Sequence, residues 1–287
     1  MAGMASLVGA LADIGAVAAN AHRKLSTTRD PRVGCVNAQT KSRHAPNITR
    51  TMVATQNILL ASLPRKTLST IQRGLTPVAL EFGQILHEPG SPLWEVYFPD
   101  ACLVSLLTEV AGHPPLEVGM VGREGAVGIS LALGVSVSPV RALVQGAGPA
   151  LRMSRARFLS ALRTQPSFQR AVFKYAHVLM EQVTQTAICN RFHVVEARLA
   201  RWLLMTRDRM GTAEFRMTHE FLSHMLGVRR EGVTEAAAMF QRKRLIEYAR
   251  GKIKILDHRG LEAASCTCYR RSPVGLEATS PLRTPRH

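Results

Sequence analysis

The stretch THEFLSHMLGVRREGVTEAAAMFQRKRL, Thr218 to Leu245, places two arginines and a glutamate directly after a Gly-Val break in a helical apolar pattern. Those side chains can read base edges. An arginine donates a bidentate pair to guanine O6 and N7, and a glutamate accepts from cytosine N4. Arg229, Arg230 and Glu231 are therefore the candidates for base or near-base contact, with Thr234 and Glu235 about one helical turn further along. Thr218, at a helix N-terminus, suits a phosphate.

The elements that must hold these groups follow from the same residues. Thr218 is a good N-cap, and HEFLSHML carries apolar side chains at Phe221, Leu222, Met225 and Leu226. Gly227 accepts the left-handed backbone of a sharp turn and ends that helix. A second helix starts at about Arg229 and turns Val233, Ala237, Phe240 and Leu245 inward. Two short helices joined by a tight glycine turn make a helix-turn-helix, whose second helix enters the major groove by its N-terminal end. The following LIEYARGKIKILDH has alternating apolar runs on both sides of Arg250-Gly251 and predicts a β-hairpin, a wing that lies along phosphates through Arg250 and Lys252. Arg242, Lys243, Arg244 and Lys254 add charge around it.

Upstream, Asn57 to Leu75 reads as two short helices, with Pro64 opening the second. A long run of short apolar segments punctuated by Gly and Pro then predicts a compact antiparallel barrel or roll, interrupted by a helical turn or two at AVGISLALG. Beyond SRARFLSALRTQ, the residues Phe168, Val172, Tyr175, Leu179, Val183 and Thr186 recur at spacings of three and four. They predict a long amphipathic helix that either packs on the chain's own barrel or forms a seam between two subunits. VVEARLARWLLMTRDRMG gives another helix, closed by Gly211. The expected architecture is α+β. Residues 1–50 are expected to form a flexible basic tail and 51–163 a β-roll. Residues 164–190 are expected to carry the long helix, 191–268 a winged helix-turn-helix, and 269–287 a second tail.

The totals agree with a polyanionic partner. The chain of 287 residues carries a net charge of +17 and is 46% hydrophobic, so it can bury a core while attracting nucleic acid or an anionic surface. No apolar run reaches membrane-spanning length. The N-terminal apolar run lacks a preceding Lys or Arg and contains Asp13, so a cytoplasmic chain is expected. Catalytic motifs are missing: there is no G-x-S-x-G, P-loop or H-E-x-x-H, and no enzyme activity is expected. The five cysteines are Cys35, Cys102, Cys189, Cys266 and Cys268. Cys266-Thr267-Cys268 could bind a metal or sense oxidation, yet no Cys/His partners stand at zinc-finger spacing. The reading taken is two ordinary thiols in a terminal segment, and no metal site.

From about Asn57 to Cys268 the whole arrangement resembles the Crp/Fnr family of bacterial transcription regulators. The residues that carry the resemblance are EFGQILHEPGSPLWEVYFP, the VGREGAVG turn, the long helix, and THEFLSHMLGVRREGVT with its KIKIL wing. The resemblance implies a cyclic-nucleotide-binding-like, jelly-roll-like β-roll, a dimerising helix and a C-terminal winged helix. It also implies a homodimer on double-stranded DNA, with RNA polymerase as a further partner. Where the family's recognition helix commonly reads S-R-E-T-V-x-R, this chain has Arg229-Arg230-Glu231-Gly232-Val233-Thr234-Glu235. Arg230 and Glu231 carry over, and Glu235 replaces the last arginine.

In cyclic-nucleotide binders of the family, a Gly-Glu, a short helix and an Arg-Ser/Thr-Ala cassette hold the ribose and cyclic phosphate. Here Gly122-Arg123-Glu124-Gly125 has one extra residue, and Pro139-Val140-Arg141-Ala142 lacks the hydroxyl residue. Matching Ala142 to the family alanine turns Arg141 to the other side of its strand. Gly122, Glu124, Gly125 and Arg141 are the candidate effector residues. They read as a degenerate cassette retained for packing, with cAMP doubtful and another small effector or a protein partner setting the switch. The alternative function is a cAMP-type sensor that acts mainly through a protein partner.

Overall fold

The computed structural model describes residues 55–270, apart from 110 and 113. The expected N-terminal tail, and all but the start of the expected C-terminal one, lie outside the described residues. Two short helices open the fold, α1 (Ile58–Ala61) and α2 (Arg65–Gln72). Asn57 caps α1 by accepting from Leu60 N at 3.1 Å, and its amide donates to Pro99 O and Gly125 O at 2.8 Å each. A single buried amide thereby fixes α1 to two loops of the roll.

Seven strands follow: β1 (Thr76–Leu80), β2 (Ile85–His87), β3 (Glu95–Pro99), β4 (Leu103–Thr108), β5 (Leu116–Val121), β6 (Arg141–Gly146) and β7 (Gly148–Ser154). They form two sheets, ordered β1-β7-β3 and β2-β6-β4-β5, with every pairing antiparallel. A 3₁₀ turn, Ile129–Leu133, interrupts the strands where AVGISLALG predicts one. Val96, Phe98, Val104, Val144 and Leu151 point between the layers and are almost wholly buried. The inner faces of the two sheets meet to close this core.

Helix α3 (Arg155–Thr164) leads into α4 (Pro166–Phe192), 27 residues long with proline in its first turn. Phe168, Val172 and Tyr175 are buried in the roll core, and Leu179 packs against it. The three-four stripe is thus mainly a core stripe. Val183, from the same stripe, is partly exposed, and Phe173, Met180, Ile188 and Phe192, elsewhere around α4, are exposed and apolar. Gln182 lies buried and bridges the outermost strand, accepting from Met120 N at 2.9 Å and donating to Met120 O at 3.0 Å. Those contacts satisfy backbone groups of a strand that would otherwise be an open edge.

The C-terminal unit comprises α5 (Val195–Met210), β8 (Glu214–Arg216), α6 (His219–Leu226), α7 (Arg230–Arg242), β9 (Ile246–Ala249), β10 (Lys252–Ile255) and α8 (His258–Ala264). Its strands form a third antiparallel sheet ordered β8-β10-β9. Its core includes Leu103, Leu107 and Met120 of the roll beside Leu199, Trp202, Leu203, Phe215, Val233 and Phe240. The outer face of β4 and β5 and the helix-turn-helix therefore share one apolar cluster. Among the described residues no helix is long and apolar enough to cross a membrane.

Candidate nucleic-acid interface

The break between α6 and α7 is built as the residues require. Thr218 Oγ1 accepts from Phe221 N at 3.1 Å, capping α6. Gly227 takes φ 60, and Val228 N donates back to Ser223 O at 3.0 Å. A Cβ at Gly227 would meet only the movable end of the Leu116 side chain, at 2.7 Å, so glycine is needed there for its left-handed conformation. Helix α7 buries Val233, Ala236, Ala237 and Phe240. Arg229, Arg230, Glu231, Thr234 and Glu235 are all exposed on its other side and around its N-terminal end.

Behind them stands a residue that the sequence did not single out. His219 Nδ1 lies 3.0 Å from Thr234 Oγ1, and its ring stacks on Tyr248 at 4.3 Å. Thr234 Oγ1 in turn donates to Arg230 O at 3.0 Å. Burial and the neighbouring Arg230 hold the His219 imidazole below its usual pKa, which favours the neutral ring. The three residues come from α6, α7 and β9, so the group fixes the second helix against the wing. An i,i+15 contact of this kind has no local sequence signal.

The wing is the hairpin of β9 and β10, with Lys252 paired to Ala249. Arg250 and Gly251 both have positive φ, 49 and 74, as a two-residue type I′ turn demands. Met217 N donates to Gly251 O at 2.7 Å, which ties the tip of the wing to the start of α6. Thr218, Arg250 and Lys252 consequently border one cavity of about 1140 Å³ together with Phe82, Phe215 and Phe221. Lys252 Nζ makes an exposed 3.4 Å ion pair with Glu214, a contact worth little in water. Arg242, Lys243, Arg244 and Lys254 are exposed nearby.

Residues 197–264 match the Crp-like helix-turn-helix domain. Solved structures extend the likeness to the roll and the long helix. FixK2 of Bradyrhizobium japonicum superposes with a TM-score of 0.59 at 12% identity, covering 67% of this chain and 98% of that one. The fold is that of the Crp/Fnr transcriptional regulators. The c-di-GMP-responsive regulator CLP of Xanthomonas campestris gives 0.55 at 17% identity, covering 67% of this chain and 99% of that one. A CRP-family regulator of Thermus thermophilus gives 0.55 at 18%, covering 66% and 96%. No curated protein matches the sequence.

Within that Crp/Fnr fold Gly122, Glu124 and Gly125 share one turn, and Arg141 is not brought to them. Arg141 stands opposite Leu107, which stands opposite Glu117 on β5, whereas Gly122 follows the last residue of β5. The strand rise separates them by on the order of 15 Å along the sheet. Arg141 is held by Glu88 at 2.8 Å and by Glu109 at 2.7 Å, and these carboxylates raise its pKa. Glu124 accepts from Gly122 N at 3.1 Å and pairs with the buried Arg209 of α5 at 2.8 Å. A Cβ at Gly125 would fall 1.8 Å from the Tyr175 ring. Gly122, Glu124 and Gly125 thus serve the packing of α4 and α5 against the roll.

The structure also gathers residues that the sequence left apart. Cys189 and His193, at the end of α4, meet Cys266 and Cys268, beyond α8. The expectation of two ordinary terminal thiols did not anticipate this, because 77 residues separate Cys189 from Cys266.

Proposed function

We propose that the chain is a homodimeric, sequence-specific DNA-binding transcriptional regulator whose roll biases operator binding. The observation that carries this reading is the exposed N-terminal end of α7, where Arg229, Arg230 and Glu231 project beside the basic wing. Arginine there reaches guanine edges in the major groove, while Thr218, Arg250 and Lys252 meet phosphates. Two copies related by a twofold axis would address half-sites about one helical turn apart. The dimer is supported by the exposed apolar side chains of α4, from Phe173 to Phe192. RNA polymerase as a partner rests on the likeness of fold alone.

The effector in this reading is not of the cAMP type. A cyclic phosphate would have to displace Glu88 and Glu109 from Arg141, and a ribose would have to take Glu124 from Arg209. The test is selection of random duplex DNA by the purified protein at moderate salt. Enrichment of a twofold-symmetric site supports the reading. Its affinity should fall steeply with salt, the slope decreasing by about 0.9 for each phosphate contact removed. Arg230→Ala should relax base preference at one position of each half-site and cost about 1–3 kcal/mol. Absence of any duplex preference, in the presence and absence of cell extract metabolites, removes it.

A further inference from the structure

We infer that Cys189, His193, Cys266 and Cys268 hold a single zinc ion, which clamps the end of α4 to the segment beyond α8. Their donor atoms all lie within 4.8 Å of one another. Cys189 Sγ is 3.5 Å from Cys266 Sγ, and Cys268 Sγ is 3.5 Å from His193 Nδ1. A tetrahedral zinc with Zn–S near 2.3 Å and Zn–N near 2.0 Å has ligand-to-ligand edges of about 3.5–3.8 Å. The four donors therefore surround a point at bonding distance after small side-chain movements. Three cysteines and one histidine form one of the usual structural zinc sets.

Local structure presents the donors in two pairs. Cys189 and His193 are four residues apart at the end of α4, so one helical turn stacks them on the same face. Cys266 and Cys268 flank one residue in a turn closed by Tyr269 N donating to Cys266 O at 3.0 Å. Tyr269 Oη donates to Asp208 Oδ2 at 2.8 Å and anchors that turn to α5. Gln185 Nε2 donates to Cys268 Sγ at 2.9 Å, from one turn earlier on α4. An N–H directed at a sulfur is the outer support that ligating thiolates commonly have.

Burial and charge fit the ion as well. Cys189, Cys266 and Cys268 are 1%, 8% and 2% exposed and form a small cluster of their own, apart from both main cores. Three thiols lose their protons to solvent on binding, so the ion with its ligands carries a net charge of −1. The guanidinium groups of Arg198 and Arg201 lie close enough to act electrostatically on Cys189, and they offset that charge. Thiolate donors select zinc, copper(I) or iron–sulfur clusters. A cluster of two irons needs its ligand pairs spread over two metals, whereas these four donors converge on one point.

The position gives the ion a consequence. It spans the break between α4 and α5, where His193 leaves helical geometry at φ −112, ψ 144. The ion thus fixes the angle at which the C-terminal unit leaves the long helix, and, on the proposed function, the spacing of the two DNA-reading helices.

The experiment begins with metal analysis of the full chain, purified under reducing conditions without added metal. One zinc per chain is expected. After chelation, Co²⁺ added without oxygen should give the intense visible bands of a tetrahedral, thiolate-rich site, and zinc should abolish them. Cys268→Ser should lose stoichiometric zinc. Since a cysteine variant can simply fail to fold, Gln185→Leu supplies a second reading: zinc retained, with affinity weakened about tenfold or more. Reduced wild-type protein with its thiols free, no zinc and no cobalt spectrum would overturn the site. Iron with acid-labile sulfide, or a Cys189–Cys266 disulfide that persists under reductant, would overturn it equally. None of these readouts uses DNA, so failure of the zinc site and failure of the DNA-binding proposal are separable.

Discussion

Glu124, in the turn after β5, and Arg209, on α5, form a buried ion pair 2.8 Å long, with side chains 7% and 2% exposed. Arg209 Nη1 also donates to Met205 O at 3.2 Å, and Glu124 accepts from Gly122 N, so each charge has further partners. The pair joins the roll to the C-terminal unit.

Removing one partner leaves the other charged, buried and unpaired. Arg209→Met or Glu124→Leu alone should therefore destabilise the reduced protein by about 3–5 kcal/mol. The double variant should recover most of that loss, because two apolar side chains replace two mutually dependent charges. Urea unfolding of the three variants gives the coupling energy directly, and strictly additive losses would show that the ions do not depend on each other.

A second buried carboxyl at the same junction carries a pH dependence. Glu117 is desolvated, and burial raises its pKa to about 7 against the partial opposition of Ser105, Trp202, Arg209 and Arg201. Ser105 Oγ lies 2.5 Å from Glu117 Oε2 and also contacts Gln145 Oε1, yet it has one proton for two acceptors. The chain closes when Glu117 is protonated and donates to Ser105, while Trp202 Nε1 donates to Oε1 at 2.9 Å. Turning the Gln145 amide over would also close it; titration separates the two. The folded-state pKa is raised, so below the ordinary glutamate value both states hold the proton. Between about 4.5 and 7 the unfolded chain ionises first, and stability falls as pH rises. Glu117→Gln reproduces the protonated pattern of donors. It should match the wild type near pH 4 and exceed its stability above pH 7, by at most about 3 kcal/mol. Equal stability of the two proteins at every pH would show that the carboxyl is not protonated in the fold.

Arg250 occupies the left-handed region at φ 49, where a glycine or asparagine would sit with less strain. Arg250→Gly should stabilise the isolated protein by about 1 kcal/mol through relief of that conformation. The same change should weaken duplex binding and lower the salt slope by about 0.9, one phosphate contact. Opposite signs in the two measurements indicate a conformation kept for its charge. Unchanged duplex affinity would remove Arg250 from the interface.

Features set by neighbouring residues were legible in the sequence, and features set by distant partners were not. Gly227 and Gly251 announce their turns because positive φ selects glycine locally, and both have a positive φ. Gly211 likewise closes α5 in the left-handed region. The stripe Phe168–Val172–Tyr175 says that one side of α4 is buried but not against what, and the roll turns out to claim it. Likewise, no spacing rule connects Glu124 with Arg209 or Cys189 with Cys266, since those encounters depend on how α5 and α8 pack. His219 escaped notice because its meaning lies in Tyr248 and Thr234, each more than a dozen residues away.

The two faces of α4 make separate predictions. Val172 is fully buried in the roll core, while Met180 is 64% exposed beside Phe173 on a side of α4 that the roll does not cover. Val172→Ala removes packed methyl groups and should lower stability by about 1–3 kcal/mol without changing the oligomeric state in native buffer. Met180→Glu should do the reverse. A twofold contact places the same residue of both copies near the axis, so one substitution brings two carboxylates together in a desolvated seam. The expected result by sedimentation is a folded monomer for Met180→Glu and a dimer for the wild type and Val172→Ala. Duplex affinity should fall with the dimer, because one winged unit then holds only one half-site. A Met180→Glu protein that sediments as the wild type does would place the subunit contact on some surface other than this side of α4.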